Sequence, residues 1–127
     1  MDNLHLEGTA KTPYINFDAG TGVLLLQGRS IPENSIEFFS PLNEWLEAYG
    51  MTPSNTTTID VKLEYFNTSS SKCILDLFKR LENMNTEVHP VKVNWYFEED
   101  DEDMEEAGED YQAIINLPFE IIEVDEM

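Results

Sequence analysis

Ile59-Asp60-Val61-Lys62-Leu63-Glu64-Tyr65-Phe66 runs into Asn67-Thr68-Ser69-Ser70-Ser71-Lys72 and then into Ile74, Leu77, Phe78 and Leu81. The first part alternates, with Ile59, Val61, Leu63 and Tyr65 on one face, the period of a half-buried strand. The last part places apolar residues three and four apart, the period of an amphipathic helix. The hydroxyl-rich segment between them therefore sits at a strand-to-helix junction. A helix opens with unpaired N–H groups and the positive end of its dipole. At that place Ser, Thr and Asn serve as ordinary N-caps. The same donors also favour an added phosphate. Junction geometry alone leaves both readings open, with capping the more common use.

Working outward, two strands are expected before this unit, Leu4-His5-Leu6 and Tyr14-Ile15-Asn16-Phe17. Asp18-Ala19-Gly20-Thr21-Gly22 reads as a hairpin turn leading into a strand from Val23 to Gln27. Pro32-Glu33-Asn34-Ser35 signals a helix start, and Ile36, Phe39, Leu42, Trp45, Leu46 and Tyr49 are expected on its buried face. Pro41 predicts a kink, or a restart with Ser40 as a fresh cap. Phe38 lies off the apolar stripe and is expected to be exposed.

Beyond the junction helix, at about 70–84, Val91, Val93, Trp95 and Phe97 alternate with polar residues as another strand. Residues 98–110 hold ten carboxylates, broken only by Met104, Ala107 and Gly108. They read as a solvated connection, as a docking surface for a basic partner, or, least favoured, as a cation site without the EF-hand spacing. From Glu105 to Asn116 a helix is expected, burying Tyr111, Ile114 and Ile115. Phe119, Ile121 and Val124 suggest a final strand. The order β-β-β-α-β-α-β-α-β predicts one α/β domain over 1–127, a mixed sheet with helices packed mainly on one face and the other face partly open.

Composition narrows the function classes. Seven Lys and Arg face 26 Asp and Glu, a formal net charge of −19. Such a surface repels nucleic acid and anionic lipid and favours partners with basic patches. The longest apolar run, Val23-Leu24-Leu25-Leu26, is too short to cross a bilayer. A single cysteine, Cys73, and no leader-like opening point to a cytoplasmic protein. Only two histidines, His5 and His89, are present, without a His-x-x-x-His or Cys-x-x-Cys pair. No phosphate-binding glycine string appears. The expectation is no metal, no cofactor and no enzyme activity.

Thr12-Pro13, Gly28-Arg29-Ser30-Ile31-Pro32-Glu33-Asn34-Ser35, Phe38-Phe39-x-Pro41 with Trp45-Leu46, Tyr65-Phe66-Asn67-Thr68-Ser69-Ser70, and Trp95 through Met104 with Ala107-Gly108-Glu109-Asp110 occur in that order. On these segments the sequence resembles the SiaC family of bacterial regulatory phosphoproteins over nearly its whole length. The resemblance implies a fold similar to anti-sigma-factor antagonists of the STAS type. It implies a non-enzymatic partner switch, phosphorylated by a dedicated serine/threonine kinase and reset by a metal-dependent phosphatase. The unphosphorylated form is expected to bind and activate a diguanylate cyclase, promoting biofilm growth through cyclic-di-GMP. The family's phosphoacceptor, the threonine of Asn-Thr-Ser, falls on Thr68. Asn67, Ser69, Ser70 and Lys72 are then candidates for orienting the acceptor or touching partners, with Ser69 or Ser70 as minor acceptors. Glu33, Asn34, Ser35 and Phe38, with Glu99, Asp100 and Asp101, are candidate partner surface. The competing reading is a small-ligand-binding module using the open sheet face, where Lys62, Glu64, Asn94 and Tyr96 stand.

Overall fold

In the computed structural model, which describes all 127 residues, the elements follow the expected order. They are β1 (Leu4–Leu6), β2 (Tyr14–Asp18), β3 (Val23–Ser30), α1 (Ser35–Tyr49), β4 (Thr57–Phe66), α2 (Thr68–Met84), β5 (Val91–Glu98), α3 (Glu102–Ile114) and β6 (Phe119–Val124). One six-stranded sheet runs in the order β1-β2-β3-β4-β5-β6. The first three strands are antiparallel, and β3 through β6 are parallel. Each parallel step crosses through one helix and moves in the same direction along the sheet. Right-handed crossovers then put all three helices on one face.

The core lies between that face and the helices. Ile15, Phe17, Leu24, Leu26, Ile59, Val61, Leu63, Val93 and Trp95 project from the sheet into it. Phe39, Leu42, Leu46 and Tyr49 of α1 and Ile74, Leu77, Phe78 and Leu81 of α2 close over them. The opposite face has no helix, and its polar groups pair with one another. Asn94 Nδ2 donates to Asp60 Oδ1 at 3.0 Å, Lys62 Nζ stands 4.9 Å from the centre of the Tyr96 ring, and Lys92 Nζ lies 3.8 Å from Glu120. No helix is long and apolar enough to cross a membrane.

Five expectations fail locally, each for a physical reason. Tyr65 does not continue the buried face of β4; it is 53% exposed. Gly28 pairs with Leu63 but Arg29 pairs with Tyr65, so Glu64 has no partner on β3 and the alternation inverts. Gly28 takes φ 114° at this irregularity, a backbone region glycine enters freely. Phe66 thereby turns inward, against Trp95 and Tyr111. Ile36 is 80% exposed because Ser35 holds the core-facing position of the first turn, leaving Ile36 about 120° round the helix from Leu42. Phe38, expected outside, is half-buried with its ring edge-on to Phe39 at 5.3 Å. The first helix does not restart at Ser40 but runs through Pro41 from its Asn34 cap. Ile114 is exposed at the end of α3, while Tyr111 and Ile115 are buried as expected.

The acidic stretch is more ordered than a solvated connection. Asp100 makes the turn with φ 72°, and the Asp101 side chain caps α3 by accepting from the Met104 N–H at 3.1 Å. The helix therefore begins three residues before Glu105. Glu102, Asp103 and Glu105 lie in its first turn, where negative charge complements the dipole. Trp95 anchors this helix by donating its Nε1–H to the Met104 carbonyl at 2.9 Å.

Candidate functional site

The junction after β4 is built by side-chain capping. The Asn67 backbone is extended, and its Oδ1 accepts from the Ser70 N–H at 2.9 Å and the Ser69 hydroxyl at 3.2 Å. Asn67 is thus the N-cap of α2, and the helix starts at Thr68, ahead of the expected residue 70. The Asn67 N–H is itself tied to the Ser30 carbonyl at the end of β3, 3.0 Å away.

A hydroxyl network extends from this cap into the fold. Ser70 is fully buried; its Oγ donates to the Ser30 carbonyl at 3.0 Å and lies 2.8 Å from the Ser30 Oγ. Ser35, the first residue of α1, has its Oγ 2.7 Å from the Ser69 Oγ and 3.4 Å from that of Ser70. The first turns of α1 and α2 are therefore joined side by side. Where the two helix starts meet, the buried Ser35 and Ser70 would otherwise strand their hydroxyls, and the serine network satisfies them.

Thr68 stands apart from its neighbours. It is exposed, and its hydroxyl makes no hydrogen bond within the chain, whereas those of Ser69, Ser70 and Ser71 are all engaged. Its carbonyl accepts the Ser71 hydroxyl at 2.7 Å. Ser69 is exposed but bridges Asn67 and Ser35. Ser70, sealed in the interior, can position the turn but cannot touch a partner or meet a modifying enzyme in the folded chain. Lys72 is exposed and forms no ion pair.

The remaining candidate residues divide between two flanks. Glu33, Asn34 and Phe38 line an open hollow of about 550 Å³ with Leu6, Glu7, Glu37 and Pro41. Ser35 is buried and belongs to the hydroxyl network instead of the surface. On the other flank, Asp101 is the α3 cap, while Glu99 and Asp100 are exposed in the preceding turn. The carboxylates of the acidic stretch splay around a turn and a helix, and no group of three or more converges as metal ligands would. Lys62, Asn94 and Tyr96 share the open sheet face as expected, engaged with Asp60 and with each other. Burial pushes the Tyr96 phenol above its ordinary value, with Asp60 and Glu120 adding to the shift. Glu64 sits in the irregularity of β4.

Two participants escaped sequence reasoning. Tyr111 donates its hydroxyl to the Ser71 carbonyl at 2.8 Å, fastening α3 to the first turn of α2. Burial raises its pKa well above the ordinary tyrosine value, and Asp110 reinforces the shift. Ser30 supplies the carbonyl that holds both Asn67 and Ser70. Neither position carries a local signal, since each acts on a segment some forty residues away in the chain.

Comparison with known proteins follows the same outline. The model of the SiaC family regulatory phosphoproteins matches residues 6–124. An uncharacterised protein of Pseudomonas aeruginosa strain UCBPP-PA14 is 35% identical over 126 residues, spanning 99% of this chain and 100% of the relative. A chain in the crystal structure of the diguanylate cyclase SiaD in complex with its activator SiaC, from Pseudomonas aeruginosa, superposes with a TM-score of 0.89 at 34% identity. The match covers 95% of this chain and 99% of that one. A structure of SiaC of Pseudomonas aeruginosa gives 0.89 at 33% identity, over 98% and 100% of the two chains. The overall fold is thus shared, and this chain is a member of the SiaC family of regulatory phosphoproteins.

Proposed function

We propose that this chain is the non-enzymatic, cytoplasmic switch component of a partner-switching system. Its unphosphorylated form binds and activates a diguanylate cyclase. A cognate serine/threonine kinase adds a phosphate to Thr68 and abolishes that binding, and a metal-dependent phosphatase restores it. The reading is carried by one observation: Thr68 presents an exposed, unengaged hydroxyl on the first residue of a helix, beside hydroxyls that are all committed to the fold. The relative captured with a cyclase supplies the partner class.

The mechanism follows from charge. Phosphorylation adds about −1.5 to −2 charges near neutral pH. The N-terminal turn of α2 and the free Lys72 ammonium are suited to hold the new dianion in place. A partner packed on this junction must then desolvate a hydrated dianion on a protein that already carries −19. The test measures cyclase binding to three forms of the full chain: unmodified, Thr68→Ala and phosphorylated at Thr68. Thr68→Ala should bind as the unmodified chain does, and the phosphorylated form should bind at least about tenfold more weakly. Equal binding by all three rejects the switch.

A further inference from the structure

Between α2 and α3 runs an apolar groove of about 280 Å³, floored by Phe66, Leu75, Ala107, Tyr111 and Ile114, with Ser71 and Lys72 at one wall. A second hollow of about 180 Å³ shares Phe66 and Ala107 with it and extends to Tyr65 and Met104. The apolar surface is therefore continuous. It also holds two of the large side chains that the fold leaves outside, Tyr65 at 53% exposure and Ile114 at 62%. The irregularity at Glu64 is what turns Tyr65 outward, and nothing in the core uses it there.

The charges lining this surface are Glu64, Asp101, Asp103 and Asp110 against Lys72 alone. An apolar strip bordered by carboxylates repels a second copy of a chain carrying −19, and it repels phosphate and anionic lipid. It complements a protein segment with apolar side chains set between lysines and arginines. Thr68 is coupled to the groove through Ser71, which lines it, donates its hydroxyl to the Thr68 carbonyl, and accepts from Tyr111 through its own carbonyl. We propose that the α2–α3 groove is the docking surface for such a basic, apolar-anchored segment of a partner protein, and that the Thr68 phosphate acts at the groove's mouth. The first half stands on the groove alone; the second rests on the switch proposed above.

The test titrates the isotope-labelled full chain with the peptide Lys-Arg-Leu-Leu-Arg-Phe-Lys-Arg, and with a control in which Ser replaces its three apolar residues. Saturable amide shifts are expected around Phe66, Leu75, Ala107 and Ile114 with the first peptide only. Ile114→Lys, an exposed position that leaves the fold intact, should weaken binding at least about tenfold. The charge-matched Ala48→Lys on exposed α1 surface should change it less than about twofold. Equal binding of both peptides, shifts spread over other acidic surfaces, or no saturation by about 1 mM peptide each overturns the docking surface. A chain carrying phosphothreonine at position 68 separates the two claims. Loss of the peptide supports both, whereas groove binding indifferent to the phosphate upholds the surface and refutes the phosphate's action at its mouth, leaving the switch to the cyclase-binding test above.

Discussion

Replacing Gly108 by alanine should destabilise the protein, although alanine is the better helix former. Gly108 lies within α3, and a Cβ built there would stand 2.5 Å from Trp95 Cδ1, 2.8 Å from Nε1 and 3.0 Å from Cγ. Ordinary contact begins near 3.4 Å, so helix and indole must part by about 0.9 Å. Trp95 has little freedom to retreat. It is fully buried, its Nε1–H is held by Met104, and the rings of Phe66, Phe78, Tyr111 and Phe119 surround it. Overpacking of this kind costs about 1–3 kcal/mol. Straining the indole hydrogen bond adds about 1 kcal/mol, and the helix preference of alanine returns about the same. The net loss is about 1–3 kcal/mol, equivalent to a Tm roughly 4–12 °C lower at this chain length. Urea titration followed by far-ultraviolet circular dichroism measures it, with tryptophan fluorescence reporting the indole itself. Gly108→Ala as stable as the parent, with unchanged fluorescence, would show that α3 does not rest on Trp95 as described.

Two further outcomes follow from the junction. Asn67→Ala removes the acceptor for the Ser70 N–H and the Ser69 hydroxyl and should cost about 1 kcal/mol, while Asn67→Asp keeps the cap and most of the stability; urea midpoints that do not distinguish the two would remove the capping role. Tyr111 gives a pH dependence with a definite sign. Its folded pKa is raised above the ordinary 10.0, so the unfolded chain releases that proton first. The stability it contributes is complete below pH 10 and is lost as pH rises from there towards the folded pKa. Tyr111→Phe, lacking the Ser71 hydrogen bond, should be about 1 kcal/mol less stable at neutral pH, and the gap should narrow above pH 10. A gap that widens in alkali would contradict the assignment.

Periodicity was enough for the architecture because the elements are long and strongly patterned. Strand β5 alternates without interruption, and the expected apolar positions of α2, Ile74, Leu77, Phe78 and Leu81, all reach the core. It failed where a single residue resets the phase. Glu64 inverts the faces of β4, and only pairing with Gly28 and Arg29 reveals it, because an unpaired residue in one strand is defined by its neighbour. Ile36 and Ile114 look apolar at helix ends but stay exposed, Ile36 because Ser35 takes the core-facing position of the first turn. The acidic stretch misled for another reason. Ten carboxylates read first as a solvated connection, but several fall in the first turn of a helix whose dipole favours them. At the site, hydroxyl richness was visible while its partition was not. Which oxygens are committed depends on Ser30 and Ser35, which are distant in sequence, so the one free hydroxyl emerges only in three dimensions.

That partition bears on how a phosphate would act in the proposed switch. The first turn of α2 is clamped from both sides: the Asn67 N–H and the Ser70 hydroxyl on the Ser30 carbonyl, Asn67 Oδ1 on the Ser70 N–H, the Ser71 hydroxyl on the Thr68 carbonyl, and Tyr111 on the Ser71 carbonyl. At about 1 kcal/mol each, releasing these bonds costs on the order of 5 kcal/mol, comparable to the whole stability of a modest domain. A solvent-exposed phosphate interacting with nearby charges contributes only about 1 kcal/mol. The modification is thus too weak to remodel the turn that carries it. Its leverage lies with the partner, for which a buried, unpaired dianion costs several kcal/mol. A rigid junction with one uncommitted hydroxyl suits a switch that changes what the surface admits while the fold beneath it stays fixed.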